Sequence, residues 1–405
     1  MSAMKRAFVV MVLSITALAQ HQLAELTIPG GQAYDQLGYR VAVAGNILAV
    51  ISGTGEGGFG SISLFQSSGN NWGKATYLAT LTIPEGATLA SLSIGDDGAV
   101  VVVGAPQETV GGNVSQGAAY VFVEPATGWV DATETARLIA SNGSANDSLG
   151  SSVSVNADEI VAGAPGVGGM GAAYVFKEPK GGWVSGSETA ILTASNGAHG
   201  DVFGNAVSVN GPRIAVGAMN VQYGGNQGAV YVYQEPIGGW TDMTETAELT
   251  ASGDYVRLGA TVVDVGNTIS TRYTTNLSAP FGAYVYVEPP GGWVSTEVPT
   301  AIITANESRG NGGPVALTSD AILIGDTELG WTKRHDFGGA YEFTKPAGGW
   351  VNSDDGTKMV PNIGSEGMQA GLSVAQQGTI AFLGAPQATV GKNVKQGAVF
   401  VFSVK

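Results

Sequence analysis

Residues 134–183 read ETARLIASNGSANDSLGSSVSVNADEIVAGAPGVGGMGAAYVFKEPKGGW. Four short apolar runs lie in this stretch between turn-forming residues, the pattern of a four-stranded antiparallel sheet. In LGSSVSV, Val153 and Val155 alternate with Ser152 and Ser154 at the two-residue period of a half-buried strand, here strand A. EIVAGAP is a continuous run of small apolar residues, as expected of a strand covered on both faces, strand B. GAAYVFKEP places Tyr174 and Phe176 on one face of strand C. The ETARLIAS type of segment, after a Gly-Gly-Trp turn, supplies strand D.

The unit recurs, and its count decides the architecture. Turn tryptophans stand at Trp72, Trp129, Trp183, Trp240, Trp293 and Trp350, at intervals of 57, 54, 57, 53 and 57 residues. Strand D occurs at 23–29, 78–84, 134–141, 188–195, 245–252, 299–306 and 356–362. Strands A, B and C also occur seven times, the last set running from Gly371 to the end. Seven sets of four strands predict an all-β, seven-bladed β-propeller. Because the first copy has only strand D and the last copy lacks it, residues 23–29 are expected to complete the blade built from 371–404. That exchange would satisfy two otherwise open edges.

Met1 to Ala19 carries Lys5 and Arg6 ahead of AFVVMVLSITALA and a small-residue Ala-Leu-Ala end. It reads as a secretory signal peptide, with an uncleaved anchor as the alternative. Residues 20–405 are then a single propeller domain. Removing Lys5 and Arg6 leaves 16 basic against 33 acidic side chains, a net charge of −17, which argues against nucleic acid as a partner. Cysteine is absent, so cohesion must come from burial. The protein is expected to be secreted, periplasmic or on the cell surface, monomeric, and not inserted in a membrane after cleavage.

Leu149-Gly150 and Phe203-Gly204 opening strand A, Gly104-Ala105-Pro106, Gly163-Ala164-Pro165 and Gly384-Ala385-Pro386 closing strand B, and the Gly-Ala-x-Tyr-Val-Phe/Tyr of strand C together resemble FG-GAP repeats. These are the blades of the integrin α-subunit propeller and of many exported bacterial proteins. The resemblance spans about residues 23 to 405 and implies the fold; the same ring hosts many activities. Integrin-type blades often hold calcium in an Asp-x-Asp-x-Asp-Gly loop between strands A and B. Here those connections are VNADE, VNGPR, VGN or AQQG, and Gly95-Asp96-Asp97-Gly98 reads as a hairpin turn, so no metal or other cofactor is expected. Asp35, Asp147 and Asp201, two positions before the Leu/Phe-Gly pair, are expected to bond their own turn backbone.

Strand C aromatics such as Tyr120/Phe122 and Tyr231/Tyr233 are expected between blades, and the turn tryptophans at the rim. A repeated sugar-binding rim is the alternative for the tryptophans. His21, His199 and His335 are too scattered for a triad or a zinc site. Paired acids converging over the ring remain open as a catalytic alternative.

The D–A and B–C connections leave a propeller on one face, where loops vary without disturbing the blades. Repeat register puts Arg257, Arg272, Arg309, Lys333, Arg334, Lys392 and Lys395 there, on blades five to seven, and none on blades two to four. Blade five loses its Gly-Ala-Pro to Thr271-Arg272-Tyr273, and blade six carries the longer GDTELGWTKRHDFGG. Where the chain abandons its own repeat, it has added what the fold did not need. The candidate ligand-binding residues are therefore Arg257, Arg272, Tyr273, Arg309, Asp326, Trp331, Lys333, Arg334 and His335. Arginine forks favour carboxylates or sulfates and an exposed indole favours a sugar face, so the expected ligand is an acidic glycan or a protein carboxylate. The function expected is an exported binding or adhesion protein and not an enzyme. An extracellular polysaccharide lyase or hydrolase, or a structural module of a cell-surface assembly, is the alternative.

Overall fold

A computed structural model describes residues 21–404 except 54–58, 70, 85–86, 96–97, 222–226, 253–256, 275–279, 306–312, 330–336 and 363. The leader expected at residues 1–19 lies outside the described residues. Seven sheets form the ring, each with antiparallel strands A-B-C-D from axis to rim, and in blade one Ala132–Thr133 adds a fifth strand parallel to strand D. In blade three the strands are Ser152–Asn156, Glu159–Ala164, Ala172–Lys177 and Ala190–Leu192. Every residue of its strand B is buried, as its unbroken apolar run requires. Innermost strands touch their neighbours all the way round, including Arg40–Ala44 of blade one against Ser373–Gln377 of blade seven. Among the described residues no helix is long and apolar enough to cross a membrane.

Closure is by strand exchange. His21–Leu26 pairs antiparallel with Ala398–Ser403, Glu25 opposite Phe400, and becomes the outer strand of blade seven. A second clasp reinforces it where the 390–397 loop grips the N-terminal loop. Tyr34, Gln36 and Leu37 donate backbone bonds to Val394, Lys395 and Gln396, each 3.0 Å long, and Asn393 Nδ2 donates to Gly31 O at 2.7 Å.

Apolar side chains gather between blades, in seven clusters. Tyr120 and Phe122 pack on Ile62 and Leu64 of blade one, and Tyr174 and Phe176 on Ala119 and Val121 of blade two. The turn tryptophans finish six of these interfaces and are only 3–8 % exposed, so their indoles are not offered to sugars. Two expose no polar edge either: Trp129 Nε1 donates to Gly98 O at 3.1 Å and Trp240 Nε1 to Glu159 Oε1 at 3.0 Å. Between blades four and five a buried ion pair adds direction to the contact. Arg213 Nε and Nη2 donate to the two oxygens of Asp264, both at 2.6 Å, and the guanidinium lies 5.5 Å from the Trp293 ring.

The signature glycines are where backbone meets backbone. A Cβ on Gly163 would stand 2.8 Å from the carbonyl carbon of Gly204 in the next blade, and closer still to its oxygen. Gly104 stands in the same way against Gly150, Gly217 against Gly259 and Gly384 against Gly38. Strand B's Gly and strand A's Gly are thus two halves of one contact, which fixes how closely blades approach at the axis. The three expected turn bonds are present: Asp35, Asp147 and Asp201 each accept from the backbone N–H three residues earlier at 2.6 Å.

Periodicity did not foresee the rim. After five of the six turn tryptophans, Trp129 to Trp350, the chain first runs parallel to the preceding blade's strand D, as Leu138 beside Gly186, Leu192 beside Met243 and Ile303 beside Ser353. A side-chain oxygen from this segment then accepts a backbone N–H of that edge: Asp131 from Thr80, Asp242 from Ile191 and Asn352 from Ile302, at 2.8–2.9 Å. These outer edges, of blades one to five, are so covered by the following blade, which removes the row of free groups that would otherwise recruit another chain.

Candidate functional site

Strand pairing aligns the repeats residue by residue. Gly163 pairs with Ala173 and Gly104 with Ala119; in blade five the residue in that place is Arg272, paired with Ala283. Blade five therefore replaces Gly-Ala-Pro with Arg272-Tyr273-Thr274, one position later than the sequence reading placed it. In blade six Gly325 keeps the glycine position and Asp326, paired with Gly339, takes the alanine position. On strand A, Ser152 pairs with Gly163 and Arg40 with Ile51, so Arg40 stands where other blades carry Ser152, Ala206 or Ser373.

These three replacements meet. A cavity of about 510 Å³ opens where the D–A and B–C connections leave the ring, lined by Arg40, Thr261, Arg272, Pro314, Asp326 and Glu328 among others from blades one, five, six and seven. Its volume is in the range of small-molecule sites. Arg272 fits because blade six yields: its innermost strand is only Val315–Leu317, preceded by Gly313-Pro314. The Arg272 backbone N–H donates to Thr261 Oγ1 at 3.2 Å. Burial, and then the nearby Arg257 charge, lower the pKa of the Arg272 guanidinium. Arg40 is half-buried, its Nη1 donating to Tyr39 O at 3.0 Å and its guanidinium 4.5 Å from the Tyr39 ring. Asp326 is buried, and its Oδ1 accepts from the Glu328 backbone N–H at 3.0 Å.

Of the sequence-derived residues, Arg272 and Asp326 line the cavity, and Arg257 is exposed beside it with a left-handed backbone, φ 48°. Tyr273 does not belong to the face. It is buried in the interface between blades four and five, 4.7 Å from the Tyr284 ring, with its hydroxyl 2.8 Å from Thr304 Oγ1. The cause is strand alternation: Tyr273 follows Arg272 and so points to the opposite side of the sheet. Arg309, Trp331, Lys333, Arg334 and His335 lie outside the described residues. Arg40 and Glu328 are cavity residues that the sequence reading did not select. A charge at a strand A position otherwise filled by Ser or Ala was the available signal for Arg40.

Two further hollows lie at the rim. One of about 520 Å³ is lined by Glu248, Thr250, Ser295 and Thr296, the other of about 390 Å³ by Ile302, Thr304, Asn352 and Ser353. Both are made by the edge-covering contacts, which recur from blade to blade, and so neither has a lining set apart from the repeat. Among the described residues no group of three His, Asp or Glu side chains is placed to hold a metal ion.

The family model for the FG-GAP repeat matches residues 132–176 and 187–233, which are strands D to C of two successive units. No curated protein matches the chain.

Proposed function

Since the chain belongs to the FG-GAP repeat β-propellers, we propose that it is an exported ligand-binding or adhesion module. Its binding face is the one bearing the D–A and B–C connections, centred on the axial cavity. The observation that carries this reading is the convergence of Arg40, Arg272 and Asp326 on one cavity, each at a position that regular blades keep small and neutral. Charges in a crowded ring centre are costly to desolvate, so three of them converging by drift is a poor account. Guanidinium groups favour carboxylates and sulfates, so the ligand class proposed is an acidic glycan or a protein carboxylate.

A glycan and peptide array probed with the purified protein tests the reading. Hydrogen exchange with the best ligand should then slow at residues 257–261, 313–317 and 372–374. Slowing confined to the opposite face, at the A–B and C–D turns, would place the function elsewhere. A polysaccharide-cleaving activity is the second reading, and Asp326 with Glu328 is the pair of acids that favours it; release of reducing ends from an array ligand would identify it.

A further inference from the structure

The cavity is lined by charges of both signs. Arg40 enters from blade one and Arg272 from blade five, blades three steps apart in the ring, while Asp326 and Glu328 both belong to blade six. A purely anionic ligand would meet two carboxylates, and a purely cationic one two guanidinium groups. The arrangement suits a molecule with both charges within the span of one small cavity. We propose that the axial cavity binds a small zwitterion of the amino-acid class, its carboxylate met by the guanidinium groups of Arg40 and Arg272 and its ammonium group by the carboxylates of Asp326 and Glu328.

The inference rests on the binding function proposed above and narrows it to a ligand class. Each polar element has a separate role. Guanidinium groups present planar donor forks that match a carboxylate. Carboxylates accept from an ammonium group but give a hydroxyl-only ligand less, because a charge-assisted bond is about twice as strong as a neutral one. Ser373 does not compete for the ligand, since its hydroxyl is spent on Gly38 O at 2.8 Å. Burial, and then the crowding of Arg257, disfavour the protonated Arg272 guanidinium, and an anionic group arriving beside it offsets both. At about 510 Å³ the cavity exceeds a single amino acid and leaves space for a side chain of any size.

The three replacements also supply folding-safe variants. Arg40→Ser, Arg272→Gly and Asp326→Ala each restore the residue that regular blades carry in that place. The test is calorimetric titration of the full-length protein with the twenty protein amino acids, then with the N-acetyl and the amide form of the best binder. The expected result is saturable binding of at least one amino acid, weakened tenfold or more by either cap. Arg40→Ser and Arg272→Gly should abolish discrimination against the amide, and Asp326→Ala discrimination against the N-acetyl form. Equal binding of the N-acetyl form would point to a peptide C-terminus and overturn the proposal, as would failure of all twenty to bind. If none binds but an array ligand does, and Arg272→Gly abolishes its binding, the cavity is the site and only the ligand class is wrong. If that array ligand is indifferent to all three variants, the proposed binding face itself fails.

Discussion

Gly163→Ala isolates the contact on which blade spacing depends. The added Cβ would lie 2.8 Å from the carbonyl carbon of Gly204, where carbon atoms normally rest at about 3.5–4.0 Å. Blades three and four would have to part locally by about 1 Å, and strand B, buried along its whole length, has no free side on which to yield. Overpacking of this kind costs about 1–3 kcal/mol, and a backbone-to-backbone clash belongs at the upper end. With an unfolding entropy of about 2.1 cal/mol/K per residue, a domain of about 385 residues loses roughly 4 °C of melting temperature for ~3 kcal/mol. Gly111→Ala is the control, because Gly111 has φ 59° and nothing within 4 Å of its Cβ position. It should cost only the left-handed conformation, about 1 kcal/mol or roughly 1 °C. Differential scanning calorimetry on both proteins decides the matter. Equal midpoints for the two variants would refute the claim that the signature glycines set blade approach.

Further outcomes follow from the same structure. Chelator should leave the thermal midpoint unchanged, since the Asp-x-Asp-x-Asp-Gly loop is missing and a specifically bound ion would otherwise stabilise by linkage; a fall of many degrees would reveal a site. His21→Cys with Ser403→Cys, opposite one another in the closing strand pair, should form a disulfide on mild oxidation and stabilise the ring by up to about 5 kcal/mol; free thiols in the folded protein would contradict the register. Burial, then the charges of Asp147 and Glu188, push the Tyr174 phenol up to about 12 from an ordinary value near 10. A folded-state value above the unfolded one means that its contribution is complete below about pH 10 and lost as pH rises through about 12. Tyr120, Tyr233 and Tyr286 shift the same way, so denaturant midpoints should fall across that window and Tyr174→Phe should lessen the fall. Trp331→Ala and Arg334→Ala should weaken an array-selected ligand severalfold while leaving circular dichroism unchanged; full affinity in both would make the divergence of blade six drift.

Blade number and ring closure were legible because repetition samples one pattern seven times, and each copy shows the same alternation and the same turn residues. Arg272 and Asp326 were legible as breaks in that pattern. Tyr273 was misjudged because a one-residue difference in alignment sends a strand side chain to the other face, and only the pairing of Arg272 with Ala283 sets the register. Arg40 was overlooked because a lone charge at a strand A position otherwise filled by Ser or Ala shows no partner in the sequence, and its meaning emerges only when blades one and five are seen to share a cavity. The covered rim was missed because its parallel contacts, such as Leu192 with Met243, run through the backbone, and the Asp or Asn two residues after a turn tryptophan, such as Asp242, reads as an ordinary turn residue until its bond to the neighbouring edge is seen.

The central claim is that the charged breaks in the repeat form the binding site. Calorimetric titration of an array-selected ligand into the wild-type protein and into the Arg40→Ser/Arg272→Gly/Asp326→Ala protein tests it most directly. Loss of charge-assisted bonds at the centre of a contact should weaken binding by about thirtyfold or more, equivalent to ~2 kcal/mol. Undiminished affinity in a triple variant with an unchanged circular dichroism spectrum would contradict the account.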